Sequence, residues 1–307
     1  MKRVLLTGAT GFVGRNAIAP LLMKGYEVHA VSTKPLIETR DIRWHRANLL
    51  DSMQMEALMS VVRPTHLLHF SWYAEPGKFW KSSENFRWLE SSIALLRQFR
   101  ESGGQRIVMA GTCAEYDWDY GYCSEAVTPR RPATPYGVCK NALHDTLGAY
   151  SAEENLSSAW GRIFFLYGPD EHPARLVSSV INALLRGESA RCTHGNQLRD
   201  FMHVEDVAAA FVALLDSEVE GAVNIASGQP VSLREVVFTI ADYLDARDRI
   251  HLGAIDAPAN DPPLLVGNGR RLLEDVGWSP SYSLDSGLIK TVDWWRCRSR
   301  ISSSNGY

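Results

Sequence analysis

The feature that most constrains the fold is a glycine-rich turn directly after a short apolar strand near the start of the chain. The residues run Val4-Leu5-Leu6-Thr7-Gly8-Ala9-Thr10-Gly11-Phe12-Val13-Gly14. Glycines at this spacing predict a tight turn at Gly8, a close backbone approach at Gly11 and close packing of a helix on the strand at Gly14. The amino end of such a helix stabilises negative charge. The motif therefore predicts a βαβ unit that binds the pyrophosphate of a dinucleotide.

Short strand-like runs and longer helix-like runs alternate after this turn. Strands are predicted at 3–7, 27–31, 42–45, 65–70, 106–110 and 158–164. Helices are predicted between them at 12–24, 52–62, 83–102 and 135–154. This alternation is typical of a parallel sheet that is covered on both faces. It predicts an α/β fold with a Rossmann domain, a doubly wound parallel sheet, over residues 1–166.

The rhythm changes after residue 167. Helices are predicted at 174–186, 204–216, 233–244, 270–276 and 284–295, joined by short strands and by a loop at 257–263 with three prolines. We expect residues 167–300 to form a smaller α+β lobe that binds the substrate, while the helix at 204–216 packs back on the first domain. Residues 301–307 are expected to form a frayed polar tail.

Charge, cysteines and hydropathy exclude several classes of protein. The net charge of −3 gives no basic surface for nucleic acid. The five cysteines are odd in number and lack C-x-x-C spacing, which disfavours a disulfide framework and a zinc site. The start is too short an apolar run for a signal peptide, and no stretch approaches the ~20 apolar residues of a membrane span. We expect a cytoplasmic protein with no metal.

The end of the second predicted strand bears on which dinucleotide is bound. An acidic residue at this position usually holds the ribose 2′-hydroxyl of NAD. This chain has Ser32-Thr33-Lys34 and no carboxylate. Two hydroxyls and an ammonium suit a 2′-phosphate. We therefore expect NADP(H), with NAD(H) as the alternative; a solvated loop without a cofactor role is the other interpretation.

A tyrosine and a lysine four residues apart follow Pro135, at a predicted helix start. Tyr136 and Lys140 would lie on one face of that helix, with their Cβ atoms about 5–6 Å apart. The pKa of a free tyrosine is near ~10, and a fixed ammonium lowers it by stabilising the phenolate. Behind a dinucleotide motif, the pair predicts proton transfer between a carbonyl and an alcohol.

Other segments match one superfamily in its own order. They are His69-Phe70-Ser71-Trp72, Gly111-Thr112-Cys113-Ala114-Glu115-Tyr116, Tyr136-x-x-x-Lys140, Arg162 to Tyr167-Gly168-Pro169, and Arg199-Asp200-Phe201-Met202-His203-Val204-Glu205-Asp206. Together with the glycine turn they cover most of the chain. Residues 1–300 thus resemble the extended short-chain dehydrogenase/reductase superfamily in its nucleotide-sugar branch. The resemblance implies NAD(P)-dependent chemistry on a nucleotide-linked sugar, and its members often form homodimers.

The resemblance also implies roles for individual residues. Tyr136 exchanges a proton with the sugar oxygen, Thr112 hydrogen-bonds the same oxygen, and Lys140 holds the nicotinamide ribose. Further cofactor contacts are expected at Gly8, Thr10, Gly11, Phe12, Val13, Gly14, Ser32, Thr33, Lys34, Asn48, Leu49, Phe70, Ser71, Trp72, Ala110 and Phe164. Substrate contacts are expected at Trp72, Thr112, Phe165, Arg175 and Arg199. Arg199 would pair with the substrate diphosphate, unless it is instead a partner of Asp200 or Glu205.

The residues after Thr112 bear on the reaction. The 4,6-dehydratases of this superfamily carry Asp-Glu there, whereas this chain carries Cys113-Ala114, which cannot do the same acid–base work. GDP-fucose synthases carry a cysteine at the position of Ala114 and a histidine that falls at Arg175. Dehydration and double epimerisation are therefore disfavoured. Reduction of a keto-sugar and 4-epimerisation remain.

The expected NADPH favours reduction. The segments 192–201 and 252–255 also resemble those of CDP-abequose synthases, which reduce a 4-keto group. We predict NADPH-dependent reduction of the 4-keto group of a nucleotide-linked deoxysugar, with a 4-epimerase as the alternative. A non-catalytic NADP-binding sensor is a third interpretation, disfavoured by the intact catalytic residues. The aromatic run from Trp72 to Trp80 fits a ligand pocket or simple packing equally well.

Overall fold

The computed structural model describes residues 2–34 and 41–304. The strands are β1 Arg3–Thr7, β2 Glu27–Ser32, β3 Ile42–Arg46, β4 His66–His69, β5 Arg106–Thr112, β6 Tyr122–Cys123, β7 Ser157–Ile163, β8 Phe165–Tyr167, β9 Ala190–Arg191, β10 Leu198–Arg199, β11 Phe201–His203, β12 Gly221–Ile225, β13 Val231–Ser232, β14 Ile250–His251 and β15 Leu264–Gly267. The helices are α1 Gly14–Met23, α2 Ser52–Val62, α3 Glu84–Glu101, α4 Pro135–Glu154, α5 Leu176–Leu185, α6 Val204–Asp216, α7 Leu233–Tyr243, α8 Arg270–Glu274 and α9 Leu284–Ser304.

A parallel sheet forms the centre of the molecule. Over the described residues it has seven strands in the order β12-β7-β5-β4-β1-β2-β3, and every neighbouring pair is parallel. Strands β4 and β5 are buried along their whole length, as expected for a sheet covered on both faces. The strand order reverses at β1, which lies between β2 and β4. The predicted Rossmann architecture is confirmed.

Two apolar layers cover the sheet. One face packs against α1 and α6, through side chains such as Ala17, Val207 and Phe211. The other face packs against α2, α3 and α4, through side chains such as Met55, Phe99 and Leu143. Because helices lie on both faces, ligands reach the sheet at the carboxyl ends of the strands.

A smaller lobe sits beside these carboxyl ends. Its apolar core is formed by α5, α7 and α9, through side chains such as Ile181, Ile240 and Leu288. A mixed sheet in the order β13-β10-β15-β6 belongs to the same side of the molecule, and β10 and β13 are antiparallel. In the parts of the chain that the structure describes, no helix is long and apolar enough to cross a membrane.

The chain crosses between the two lobes more often than a boundary at residue 166 implies. Strand β12 extends the central sheet beyond β7, and α6 packs on α1. In the other direction, β6 pairs with β15 of the mixed sheet. The division at 166 stays a prediction, but neither lobe consists of one continuous segment.

The C-terminal helix is longer than predicted. We expected it to end at residue 295 and a frayed tail to begin at 301, whereas α9 continues to Ser304. No proline or glycine lies between Gly287 and Ser304, so nothing in the sequence stops the helix there. The frayed tail from residue 301 stays a prediction, and residues 305–307 lie outside the described part of the chain.

Candidate active site

The site begins at the gap where the strand order reverses. Gly8 follows β1 directly and lies in the left-handed backbone region, at φ +65°. A Cβ atom on Gly8 would lie 2.9 Å from the backbone carbon of Phe70 and the backbone nitrogen of Ser71. The turn is closed by a hydrogen bond from the Gly11 amide to the Gly8 carbonyl, at 2.8 Å. This bare backbone cradle before α1 fits the pyrophosphate of a dinucleotide.

A buried hydrogen-bond network fixes the neighbouring strand end. The Thr7 hydroxyl accepts from the amides of Phe70 at 3.2 Å and Ser71 at 3.3 Å. It also lies 2.8 Å from Nδ1 of His69, whose Nε2 is 3.0 Å from the Ser92 hydroxyl. Burial lowers the pKa of His69 to about 3, and the Lys140 charge adds to that effect. His69 is thus a neutral structural link between the ends of β1 and β4.

Thr112, at the end of β5, is held by the buried carboxylate of Glu115. Glu115 accepts from the Thr112 amide at 2.8 Å, and the Thr112 hydroxyl accepts from the Ala114 amide at 3.2 Å. The same carboxylate accepts from Nε of Arg162 at 2.7 Å and from Nε1 of Trp160 at 2.9 Å. Glu115 is fully buried and Arg162 is 1% exposed. The network anchors the backbone from which the Thr112 hydroxyl projects.

Tyr136 and Lys140 lie on the first turns of α4. Thr134 caps this helix by accepting from the Gly137 amide at 3.1 Å, and Pro135 occupies its first turn. The buried Lys140 ammonium donates to the Ala110 carbonyl at 2.9 Å and lies 3.8 Å from the centre of the Trp72 ring. Burial lowers the pKa of Lys140 to about 7, and the Glu115 charge opposes the shift. Burial thus makes the charged form of this amine less favourable than it is in water.

The pKa of Tyr136 moves in the direction opposite to the sequence prediction. Burial raises it above the usual value, and interaction with the Thr112 hydroxyl opposes the rise. Lys140 is not among the largest influences on the phenol, since its ammonium is directed to Ala110 and Trp72. The expected lowering of the Tyr136 pKa by Lys140 is not found in this structure, because burial of the phenol raises that pKa. The sequence alone does not show this burial.

Aromatic rings surround Tyr136. The ring centres of Phe79, Trp80 and Trp72 lie 4.8, 5.6 and 6.5 Å from that of Tyr136, all with their planes nearly perpendicular to it. Trp118 stands against Trp80 at 6.2 Å. From the sequence, the aromatic run fitted a ligand pocket and simple packing equally well. The structure places it against the predicted catalytic phenol.

The predicted substrate residues fall in two groups. Trp72, Thr112 and Arg175 lie around Tyr136. Arg175 is 5.6 Å from the Phe79 ring, and its charge opposes the rise in the pKa of the Tyr136 phenol. Arg199 is buried, and its guanidinium lies 5.4 Å from the Phe165 ring.

The partner of Arg199 is neither of the carboxylates considered from the sequence. Its Nη2 donates to Asp261 at 2.5 Å. Asp200 instead accepts from the backbone around Ser227, and Glu205 pairs with Lys290. Asp261 lies in the loop with three prolines. No local pattern predicts this contact, because it joins positions far apart in the chain.

Two of the predicted cofactor residues have side chains that are buried among apolar neighbours. The Phe164 ring is 5% exposed and belongs to an apolar cluster with Cys113, Tyr116 and Leu265; its course along the cofactor stays a prediction. Leu49 is likewise buried in the core beneath α3. Both are apolar and gain more by burial than by facing a wet cleft. A contact through their backbone stays a prediction.

The remaining predicted cofactor residues lie at or next to the carboxyl ends of the strands. The exposed or half-buried ones are Thr10, Gly11, Phe12, Val13, Thr33, Lys34, Asn48, Phe70, Ser71 and Trp72; Gly8 is also half-buried, whereas Gly14, Ser32 and Ala110 are buried. A further residue, which was not singled out from the sequence, lies beside them. Arg46 ends β3 directly beside Ser32 in the parallel register and is exposed. Arg46 could have been identified by pairing the second and third predicted strands, which places it next to Ser32.

Metal ligands do not gather here. In residues 2–34 and 41–304, no group of three histidine, cysteine, aspartate or glutamate side chains is arranged to hold a metal ion.

Comparison with known proteins places this architecture in a family. The model of the NAD dependent epimerase/dehydratase family matches residues 4–226. The chain is 27% identical to the dTDP-6-deoxy-L-talose 4-dehydrogenase (NAD(+)) of Aggregatibacter actinomycetemcomitans, over 76% of this chain and 87% of the relative.

Two solved structures have the same fold as this protein over nearly the whole chain. The UDP-glucose 4-epimerase of Thermus thermophilus in complex with NAD is 26% identical, with a TM-score of 0.83 over 96% of this chain and 99% of that one. MoeE5 in complex with UDP-glucose and NAD is 29% identical, with a TM-score of 0.83 over 97% and 100%. Since the family model spans well over half of the sequence, the chain belongs to the NAD dependent epimerase/dehydratase family, within the extended short-chain dehydrogenase/reductase superfamily, and is an enzyme of the oxidoreductase and epimerase class.

Proposed function

We propose that this enzyme is an NAD(P)-dependent 4-epimerase of nucleotide-linked sugars. The observation that carries the proposal is the meeting of Thr112, Tyr136 and Lys140 at the end of β5, beside the dinucleotide turn, with no carboxylate at residues 113 and 114. Dehydration needs an added acid and base, whereas epimerisation at C4 needs only one group that exchanges a proton. The likeness to a UDP-glucose 4-epimerase supports the same reaction.

The chain's own residues supply binding and proton transfer. When bound, a nicotinamide cofactor supplies the exchange of hydride at C4. The turn at Gly8 and Gly11 would hold its pyrophosphate, and Lys140 its ribose. Tyr136 accepts the proton of the C4 hydroxyl and returns it when the hydroxyl forms again, while Thr112 hydrogen-bonds the same oxygen. On the other side of the cleft, Arg199 would bind the diphosphate in place of Asp261.

A 4-ketoreductase is the second candidate. The loop Ser32-Thr33-Lys34 supports it, because a reductase draws on NADPH at every turnover. The likeness to a 4-dehydrogenase of a 6-deoxysugar nucleotide also fits a net redox reaction at C4. This is the reduction of a 4-keto-deoxysugar nucleotide that the sequence analysis favoured, and the same three residues would serve it.

One assay separates these candidates. We expect the enzyme to interconvert UDP-glucose and UDP-galactose, or the corresponding dTDP-sugars, without net change in reduced nicotinamide. Loss of nicotinamide absorbance on mixing NADPH with nucleotide 4-keto-6-deoxysugars, and no interconversion, would replace the epimerase with the reductase. Tight cofactor binding without turnover of any of these sugars would favour the non-catalytic sensor and overturn both proposals.

We also propose that the cofactor is NADP(H), which the 4-ketoreductase would need at every turnover and which a 4-epimerase would keep bound. The related solved structures named above contain NAD, so NAD is the alternative. Support for NADP(H) comes from the hydroxyls of Ser32 and Thr33, from Lys34, and from Arg46 beside Ser32. A guanidinium fork suits a 2′-phosphate, the group by which the two dinucleotides differ.

Arg46→Gln tests this cofactor proposal. We expect the Kd for NADPH to rise by about tenfold or more, since a charge-assisted hydrogen bond is lost, and the Kd for NADH to stay nearly constant. Calorimetric titration measures both constants without a substrate. Arg43→Gln is the matched control, because Arg43 lies on the same strand but pairs with Glu27 at 3.0 Å. Tighter binding of NADH than NADPH by the unmodified enzyme would contradict the proposal.

A cytoplasmic location and a homodimer also stay predictions of the sequence analysis.

A further inference from the structure

An aromatic wall stands beside the predicted catalytic phenol. We use this name for Phe79, Trp80 and Trp118, which come from two separate segments of the chain. Trp80 is the central member, with its ring centre 4.4 Å from Phe79, 5.6 Å from Tyr136 and 6.2 Å from Trp118. The wall therefore meets the phenol edge on, at the place where Tyr136 would face a sugar.

The wall is fixed but still accessible. Phe79 is 5% exposed and forms its base, while Trp80 and Trp118 are only half-buried. The indole Nε1 of Trp118 donates to the Cys113 carbonyl at 2.9 Å, which ties the wall to the residue after Thr112. Two indole surfaces are thus held open to a ligand within the catalytic region.

Apolar surface dominates this side of the phenol. The rings that contact Tyr136 among the described residues are Trp72, Phe79 and Trp80, and the indole nitrogen of Trp72 is already engaged by Asn85 at 2.9 Å. Two cations lie nearby: Arg175 is 5.6 Å from the Phe79 ring, and Lys140 is 3.8 Å from the Trp72 ring. A ligand group placed against Trp80 and Trp118 therefore meets carbon-rich ring surface rather than hydrogen-bonding side chains.

The geometry of a hexose indicates which part would lie there. C6 is the only carbon substituent on the pyranose ring, and it is attached to C5, next to the reacting C4. A side chain that borders the C4 oxygen therefore also borders C6 or the hydroxyl of C3. Apolar rings gain by covering a methyl group, whereas a hydroxyl buried against them loses its hydrogen bonds to water.

We propose that the aromatic wall binds the C5–C6 edge of the sugar and selects 6-deoxysugars, with a methyl group at C6, over sugars with a hydroxyl at C6. This inference rests on the proposed function, because it takes Tyr136 to face C4. It makes Trp80 and Trp118 specificity-determining residues and the substrate a nucleotide-linked 6-deoxyhexose. The preference is bounded, because an apolar surface rejects an added hydroxyl by about a hundredfold at most.

Substrate pairs that differ only at C6 test the inference. UDP-galactose is compared with UDP-6-deoxygalactose, and dTDP-glucose with dTDP-6-deoxyglucose, in kcat/KM and in the Kd from calorimetric titration. We expect the 6-deoxy member to be favoured by about 10- to 100-fold in kcat/KM, and its Kd to be the lower one. Equal values, or a preference for the 6-hydroxy member, would overturn the inference.

Two variants link the preference to the wall. Trp80→Ala should bring the ratio between the 6-deoxy and 6-hydroxy members close to one, chiefly through the KM of the 6-deoxysugar, whereas Trp80→Phe should keep most of it. Trp294→Ala is the control, because Trp294 is also half-buried and meets a tryptophan edge to face, at 4.9 Å from Trp295, but lies in α9. A ratio that survives Trp80→Ala would remove the wall from substrate selection.

Failure of the two proposals is distinguishable. If both members of a pair are turned over equally, the reaction at C4 stands and the selection of 6-deoxysugars falls. If neither is turned over, the proposed reaction fails, and the titrated Kd values still decide whether the wall prefers a methyl group at C6.

Discussion

Replacing Tyr136 with phenylalanine is expected to lower kcat by about 10²- to 10⁴-fold, the usual contribution of a positioned acid or base. The substitution removes only the phenol oxygen, so the edge contacts of the ring with Phe79 and Trp80 are kept. The Kd for the cofactor should therefore change little. Steady-state rates with a nucleotide sugar and calorimetric titration of the cofactor measure the two effects separately.

Tyr150→Phe supplies the matched control. Tyr150 lies on the same helix as Tyr136, is half-buried, and packs against the core under α3 and α4. The same atom is removed from the same kind of residue, with no expected effect on kcat. A Tyr136→Phe enzyme that keeps most of its rate would exclude the phenol as the group that exchanges the proton.

The second large effect is expected on stability. Glu115→Ala should lower the free energy of unfolding by about 3–5 kcal/mol, the range for breaking one partner out of a buried ion pair. Arg162, 1% exposed, would lose the carboxylate 2.7 Å from its Nε, and Trp160 Nε1 and the Thr112 amide would lose their acceptor. Urea unfolding followed by circular dichroism measures the change.

A surface glutamate gives the comparison for this stability effect. Glu84 pairs with Arg87 at 3.0 Å on the exposed side of α3, and its replacement by alanine should change stability little because water screens such pairs. If Glu115→Ala does not fold, Glu115→Gln keeps one acceptor oxygen and should show a smaller loss. Equal, small losses for Glu115→Ala and Glu84→Ala would contradict a structural role for the buried network.

Helix boundaries were predictable where the signals are local. Helices α2 and α4 begin and end at the predicted residues. Asp51 and Thr134 cap their amino ends, and Arg63 and Asn155 close their carboxyl ends in the left-handed conformation. Such signals lie within a few residues of the boundary, so a single sequence contains them.

The second lobe was less predictable, because its strands depend on distant partners. Strand β10 has two residues and pairs with β15, more than sixty positions later in the chain. A run of two residues has no usable periodicity, and what makes it a strand is its neighbour.

The candidate site shows the same division. The spacing of Tyr136 and Lys140 on one helix was readable from the sequence, as was the turn at Gly8. The shift in the pKa of Tyr136 was not, because it is caused chiefly by burial, and the neighbouring rings of Phe79 and Trp80 come from another part of the chain.

The exchange of strands between the lobes has a practical consequence for dissecting this enzyme. A fragment ending near residue 166 would lack β12, leaving the backbone of β7 unpaired along one side, and would lack α6, leaving the apolar face of α1 bare. An uncovered strand edge next to exposed apolar surface promotes self-association. We therefore do not expect the dinucleotide-binding half to fold as an autonomous module. A fusion or truncation should end after β12, near residue 226, rather than at the end of β7.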